Sequence, residues 1–361
     1  MTSGRVMRSD YMEWAKLHSR ARFNLATSGI NNYPLADLPV RLQDLEISGP
    51  SLYGYAPLIE AIAVKHDVPP ASVVAATGTS GSNHLAMAAL IRPGDEVLIE
   101  TPTYELIVST ALYLGARVRR FERRSENGFR LDPEQVDRNI GNSTRLVVVT
   151  NLHNPSGAFT GESTLREIGE IGRKHGARVL VDEVYLDAAF EMTPRTSFHL
   201  GEHFVVTGSL TKVYGLSGLR CGWVLASPEL ARRMWRLNDL FGVIPAHLAE
   251  LVSVIALQNL EKIGARSRAI LNANTPLLDA MFGSTSHLST ISGRQGTVAF
   301  PRLDRGDVDD LCCLLRKKYD TTVVPGRFFG LRHHFRIGIG GETDMVAEAL
   351  SRLSAAIQEM K

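Results

Sequence analysis

Between residues 72 and 226, seven short runs rich in apolar and β-branched residues recur, each separated from the next by a stretch of different rhythm. They are Ser72–Thr77, Glu96–Ile99, Arg117–Phe121, Leu146–Thr150, Val179–Asp182, Phe204–Gly208 and Cys221–Ala226. Most are near-continuously hydrophobic, as strands buried on both faces must be. Helical patterns lie between them, among them Gly81–Ile91, Tyr104–Leu114 and Glu162–His175. Gly176 closes the last as a left-handed cap, and Asp132-Pro133-Glu134-Gln135 reads as a capped helix start. Strand–helix alternation over this whole span restricts the chain to an α/β fold around a mostly parallel, doubly wound sheet.

From Ser227-Pro228 onward the rhythm changes. Pro228–Lys262 and Arg266–Phe282 read as long helices, and short strands at Thr297–Phe300, Thr321–Val324 and Phe335–Ile339 alternate with helices at Val308–Tyr319 and Thr343–Met360. A chain of 361 residues exceeds what one core usually serves. We therefore expect a large α/β unit, residues 46–227, and a smaller α+β unit built from 1–45 and 228–361, with the site in the cleft between them. Hydrophobic residues at 44% and charged residues at 22% exclude wholesale disorder. A formal charge of +2 argues against nucleic acid as the main partner. There is no apolar run of about 18 residues to span a membrane, and no apolar segment behind the first charges to act as a secretory signal. Three cysteines without metal-ligand spacing suit a reducing compartment, so a cytoplasmic enzyme is the expectation.

The chemistry is concentrated in Val205-Val206-Thr207-Gly208-Ser209-Leu210-Thr211-Lys212-Val213-Tyr214-Gly215-Leu216-Ser217-Gly218-Leu219-Arg220-Cys221-Gly222-Trp223. A lone loop lysine is ordinarily a solvated charge. Here Lys212 follows a buried strand, is framed by small hydroxyl residues, and is joined by a second cation, Arg220, before the next strand. Cations and hydroxyls gathered at strand ends form an anion site, and a desolvated lysine there has a lowered pKa suited to forming Schiff bases.

This stretch resembles the lysine signature of the class I/II aminotransferases, which are fold-type I pyridoxal-phosphate enzymes. Ser-x-x-Lys, Gly-Leu-x-Gly-Leu-Arg and the following Gly-aromatic stand in order. The resemblance implies that Lys212 forms the Schiff base with pyridoxal 5'-phosphate, and that Arg220 and Ser209 hold the cofactor phosphate. Further landmarks follow the family order. Val179-Leu180-Val181-Asp182-Glu183-Val184-Tyr185 ends a buried strand in a carboxylate. Alone, Asp182 reads equally as a helix cap; the resemblance implies that it pairs with the pyridine nitrogen and that Tyr185 meets the phenolic oxygen. Asn151-Leu152-His153-Asn154-Pro155-Ser156-Gly157 carries turn signals; by resemblance Asn154 serves the phenolic oxygen and the substrate carboxylate. Thr77-Gly78-Thr79-Ser80-Gly81-Ser82-Asn83 precedes a helix and resembles the first phosphate loop, implying contacts from Thr79 and Ser80 with Gly78 making the turn. Tyr104 in Pro102-Thr103-Tyr104 would stack on the cofactor ring. Arg336 in His334-Phe335-Arg336-Ile337 would grip the substrate α-carboxylate.

Two N-terminal positions match less well. Tyr53, beside Gly54, stands where a family tyrosine would reach the neighbouring subunit's phosphate, and Ser28-Gly29 resembles the small-residue site whose backbone meets the substrate carboxylate, making Gly29 a substrate-binding candidate. The implied assembly is a homodimer with active sites at the interface. The implied reaction is amino transfer between an amino acid and a 2-oxo acid. A lyase or cyclising synthase on the same scaffold, or a racemase, is the alternative. His153, Trp223 and the Leu240–Pro245 loop are candidates to line the side-chain pocket. Arg117, Arg119, Arg120, Arg123 and Arg124 read as a solvated face rather than a nucleic-acid patch.

Overall fold

The computed structural model describes residues 6–50 and 52–360. All seven expected runs are strands of one sheet: β1 (Val73–Thr77), β2 (Glu96–Thr101), β3 (Arg117–Glu122), β4 (Thr144–Thr150), β5 (Arg178–Asp182), β6 (Phe204–Ser209) and β7 (Cys221–Leu225). Their spatial order is β1-β7-β6-β5-β4-β2-β3. Only β7 runs against its neighbours, so β1 to β6 share one direction. Side chains alternate between two cores, as a period of two demands. Leu146, Val148 and Leu180 face one, while Val147, Val149, Val179 and Val181 face the other. The first core is continuous with that of the C-terminal elements, taking in Leu278, Leu311, Phe335 and Ile337.

Outside the large sheet, Phe23–Asn24 pairs in parallel with Thr321–Thr322, and Phe335–Gly338 lies between Val298–Ala299 and Val324–Pro325. Helices Val308–Tyr319 and Thr343–Glu359 back these strands. The expected single helix Pro228–Lys262 is instead two, Pro228–Asn238 and His247–Gln258, and a third begins at Leu260. The first break contains Gly242, Val243 at φ 59° and Pro245, three residues that cannot continue a helix together. Among the described residues no helix is long and apolar enough to cross a membrane.

Candidate active site

The topology explains why distant motifs meet. β4, β5 and β6 end at one edge of the sheet and β1 ends there too, while the reversed β7 begins there. Thr150, Asp182, Ser209, Gly78 and Arg220 are therefore brought to one rim, the carboxyl ends of parallel strands where α/β sheets bind ligands. There a cavity of about 340 Å³ is lined by Thr79, Ser80, Tyr104, Asn154, Asp182, Tyr185, Lys212 and Arg220, among others.

At the anion end, the helix expected from Gly81 starts three residues earlier, at Gly78, so Thr79 and Ser80 are its first turn. Gly78, at φ 65°, turns the chain straight from β1 into this helix, and a Cβ there would run into the Arg220 guanidinium. The Gly78 N–H donates to the Arg220 carbonyl at 2.6 Å and no side chain caps the helix, so the N–H groups that follow in its first turn face an anion site. Thr79 Oγ1 donates to Ser209 Oγ at 2.7 Å, and Ser209 Oγ lies 2.7 Å from Thr211 Oγ1. Ser80 is exposed at the rim.

At the centre, Asp182 is buried, and burial pushes its carboxyl up to about 6. Asn83 Nδ2 donates to Asp182 Oδ2 at 2.8 Å, and Thr207 Oγ1 fixes the amide by donating to Asn83 Oδ1 at 2.6 Å. Lys212 Nζ donates to Ser28 Oγ at 3.1 Å, and the Tyr185 hydroxyl bonds the same serine. Burial first, then the Arg336 and Arg220 charges, lower the Lys212 ammonium below its ordinary value against the pull of Tyr11 and Asp182. Gly29 lies against Lys212: a Cβ there would stand 3.1 Å from the lysine carbonyl oxygen and 3.5 Å from its Cδ.

At the far end, Arg336 is buried at 1% exposure. Nη1 donates to Asn154 Oδ1 at 3.0 Å and Nη2 to the Tyr11 hydroxyl at 2.9 Å, while Nε has no partner among the described residues. Phe329 lies under the guanidinium, 5.0 Å from carbon to ring centroid. Tyr104 meets Tyr11 edge-on at 5.5 Å.

Of the thirteen residues singled out from sequence, eight line this cavity, four (Gly78, Gly29, Ser209 and Arg336) stand behind it against lining residues, and Tyr53 does neither. It is exposed, and its hydroxyl donates to Asp239 at 3.1 Å. The suggested pocket lining is corrected. His153 is buried and bonded to the Pro102 carbonyl and Ser156, Trp223 faces a second cavity, and residues 240–245 do not line the first. The solvated-face reading fails for Arg123, which is fully buried against Glu100. Two contributors were not anticipated, Asn83 behind Asp182 and Tyr11 on Arg336; Ser28, expected beside Gly29 for its backbone, meets Lys212 through its hydroxyl.

A model of the aminotransferase class I and II family matches residues 30–353. The chain belongs to that family. It is 32% identical to the capreomycidine synthase of Streptomyces vinaceus over 93% of this chain and 90% of that one. It is 23% identical to an aspartate aminotransferase of Streptomyces avermitilis, over 92% and 89%. A solved pyridoxal-phosphate-dependent aminotransferase from Streptococcus suis superposes with a TM-score of 0.93 at 26% identity, covering 99% of both chains. The family's enzymes depend on pyridoxal phosphate, and the donor set fits that group. Hydroxyls, a guanidinium and a bare helix terminus suit its phosphate, a buried carboxylate its ring nitrogen, and an amine its carbonyl.

Proposed function

We propose that this chain transfers an amino group between an amino acid and a 2-oxo acid, with Lys212 as the amine that holds pyridoxal phosphate. The observation that carries this reading is one cavity with a lysine of lowered pKa and a buried carboxylate on its walls, and a buried arginine bonded to Asn154 of that wall. Bound there, pyridoxal phosphate supplies a ring that takes up the electron pair left when a bond at the substrate α-carbon breaks. Asp182, held by Asn83, keeps the ring nitrogen protonated. Thr79, Ser80, Ser209 and Arg220 hold the phosphate, Gly78 admits it, and Tyr104 covers the ring. Asn154 and Tyr185 donate to the phenolic oxygen. Arg336, with the Gly29 backbone, fixes the substrate carboxylate, the planar guanidinium offering paired donors. That orients the α-hydrogen for Lys212, which removes the proton as a base and returns it as an acid; its lowered pKa suits both roles.

The reading includes a cytoplasmic homodimer and the division into units 46–227 and 1–45 with 228–361. Exposed apolar side chains support the dimer: Ile47, Leu52 and Tyr53 on one segment, Leu240, Phe241, Val243 and Leu248 on another. The two segments are joined by the Tyr53–Asp239 bond and the packing of Gly49 on His247. Such a patch marks an interaction surface.

A cyclising synthase on the same scaffold is the second reading, favoured by the match to capreomycidine synthase. The test is the visible absorption band of protein mixed with pyridoxal phosphate, followed through a panel of amino acids without an acceptor. Amino transfer predicts one 2-oxo acid released per active site and no band in Lys212→Ala. Continuous turnover to a cyclised product without an acceptor favours the synthase. A well-folded protein without a band overturns both.

A further inference from the structure

We propose that the buried Glu100–Arg123 pair is a positioning device for the substrate-carboxylate site, acting through Thr150 and Asn154. The proposal rests on the reading of Arg336 and Asn154 as carboxylate and cofactor contacts. Both members of the pair have fully buried side chains, with Arg123 Nη1 2.8 Å from Glu100 Oε2. The second carboxylate oxygen is turned toward the site. Glu100 Oε1 accepts from the Thr150 backbone N–H and from the Thr150 hydroxyl, each at 2.7 Å. With its proton committed to Glu100, the Thr150 oxygen presents a lone pair and accepts the Asn154 N–H at 3.0 Å. Asn154 Oδ1 in turn accepts from Arg336 Nη1 at 3.0 Å. Three hydrogen bonds thus run from the ion pair to the arginine.

The arginine end ties down the same loop. Arg123 Nε donates to the Phe129 carbonyl at 2.7 Å, and Nη2 to Thr160 Oγ1 at 3.3 Å. Thr160 is clamped by Asn151, whose amide donates to the Thr160 carbonyl at 2.9 Å and accepts the Thr160 N–H at 3.0 Å. Both ends of segment 150–160 are therefore pinned to one ion pair. A buried pair is weak evidence for stability, because desolvation offsets much of its attraction. Here its directional bonds fix where an asparagine side chain stands, and a small displacement at such a position costs rate steeply.

Removing one charge strands the other and risks misfolding, so the test uses matched uncharged doubles. Glu100→Gln/Arg123→Met keeps an acceptor for Thr150; Glu100→Met/Arg123→Met does not. Thr150→Val cuts the relay while leaving the pair intact. Each is loaded with pyridoxal phosphate and compared by thermal melt, by the pH midpoint of the visible band, and by KM and kcat for the best amino donor. Positioning predicts that the methionine double and Thr150→Val raise KM by about 10- to 100-fold and move the pH midpoint, while the glutamine double, which keeps the Thr150 acceptor and loses only the Arg123 bonds at the far end of the segment, changes distinctly less in both. The proposal is overturned if Thr150→Val keeps the wild-type KM and midpoint, or if the two doubles lose melting temperature and activity alike. Should the methionine double not fold, Thr150→Val against the glutamine double decides alone. Absence of any visible band in wild type would sink the cofactor reading instead, a result separable from these.

Discussion

A carboxylate sealed at the end of a buried strand has to be held by something other than water, and for Asp182 the holder is Asn83. Its amide opposes the upward shift that burial imposes, and Thr207 keeps the amide oriented. Replacing Asn83 with alanine removes a hydrogen bond to a charged group, about 1.5 to 3 kcal/mol. The Asp182 carboxyl then rises further, so kcat/KM should fall roughly 10- to 100-fold and the acid limb of the pH–rate profile should move to higher pH. Steady-state kinetics on both sides of the Asp182 value of about 6 checks both. Next door, Glu183 accepts from the Ser197 N–H and hydroxyl, yet burial still pushes it up to about 7 from an ordinary 4.5. The folded chain keeps this proton after the unfolded chain has lost it, so stability falls as pH rises from about 4.5 to about 7. Across that window the loss is roughly 3 kcal/mol. Glu183→Gln, which retains the acceptor, should flatten that part of the cofactor-free protein's denaturation curve. An unchanged slope would mean that another group carries it.

At the scale of elements, the central strands were legible because burial on both faces leaves few alternatives to continuous apolar runs such as Leu146–Thr150. The helix Asp10–Leu17 was not. It is eight residues long, capped by Ser9, and tethered by Ser9 to Glu105. Its importance lies in Tyr11 reaching an arginine 325 positions away, a relation no local period encodes. Arg123 was misread for the same reason: its neighbours are arginines, but its partner Glu100 sits on another strand. The candidate motifs of the large sheet could be read because each is compact and stands at a strand end. This helix makes part of the cavity wall with Tyr11, Met12, Trp14 and Ala15. Tyr11→Phe keeps the ring but removes the nearer of the two acceptors of Arg336 Nη2, leaving only the Ala26 carbonyl at 3.3 Å, so the guanidinium loses one of its anchors. We expect KM for the amino donor to rise about tenfold, the worth of one charge-assisted hydrogen bond, with kcat less affected. Equal losses in kcat and kcat/KM would instead mean that Tyr11 acts in the chemical step.

At the scale of the whole molecule, Tyr53 separates a monomeric from a dimeric account. Within one chain it points at Asp239, among exposed Leu52, Leu240 and Phe241, away from the cavity. A tyrosine that serves the cofactor from there has to do so across a twofold interface, where the same patch meets itself. Mixing two single-site variants tests this. Tyr53→Ala and Lys212→Ala proteins, unfolded and refolded together, form hybrids in which one site takes Lys212 from the first chain and Tyr53 from the second. Random pairing should restore roughly a quarter of the wild-type rate per site, although each parent alone is impaired. If Tyr53 worked within its own chain, the mixture would give only the average of the parents. If Tyr53→Ala alone kept full activity, the tyrosine would have no part in the site. Replacing Phe241 and Leu240 with aspartate should abolish the restoration while leaving the monomer folded, because Leu240 is largely exposed and Phe241 gives up little beyond its edge contact with His84. Light scattering then reports whether the loss follows from dissociation.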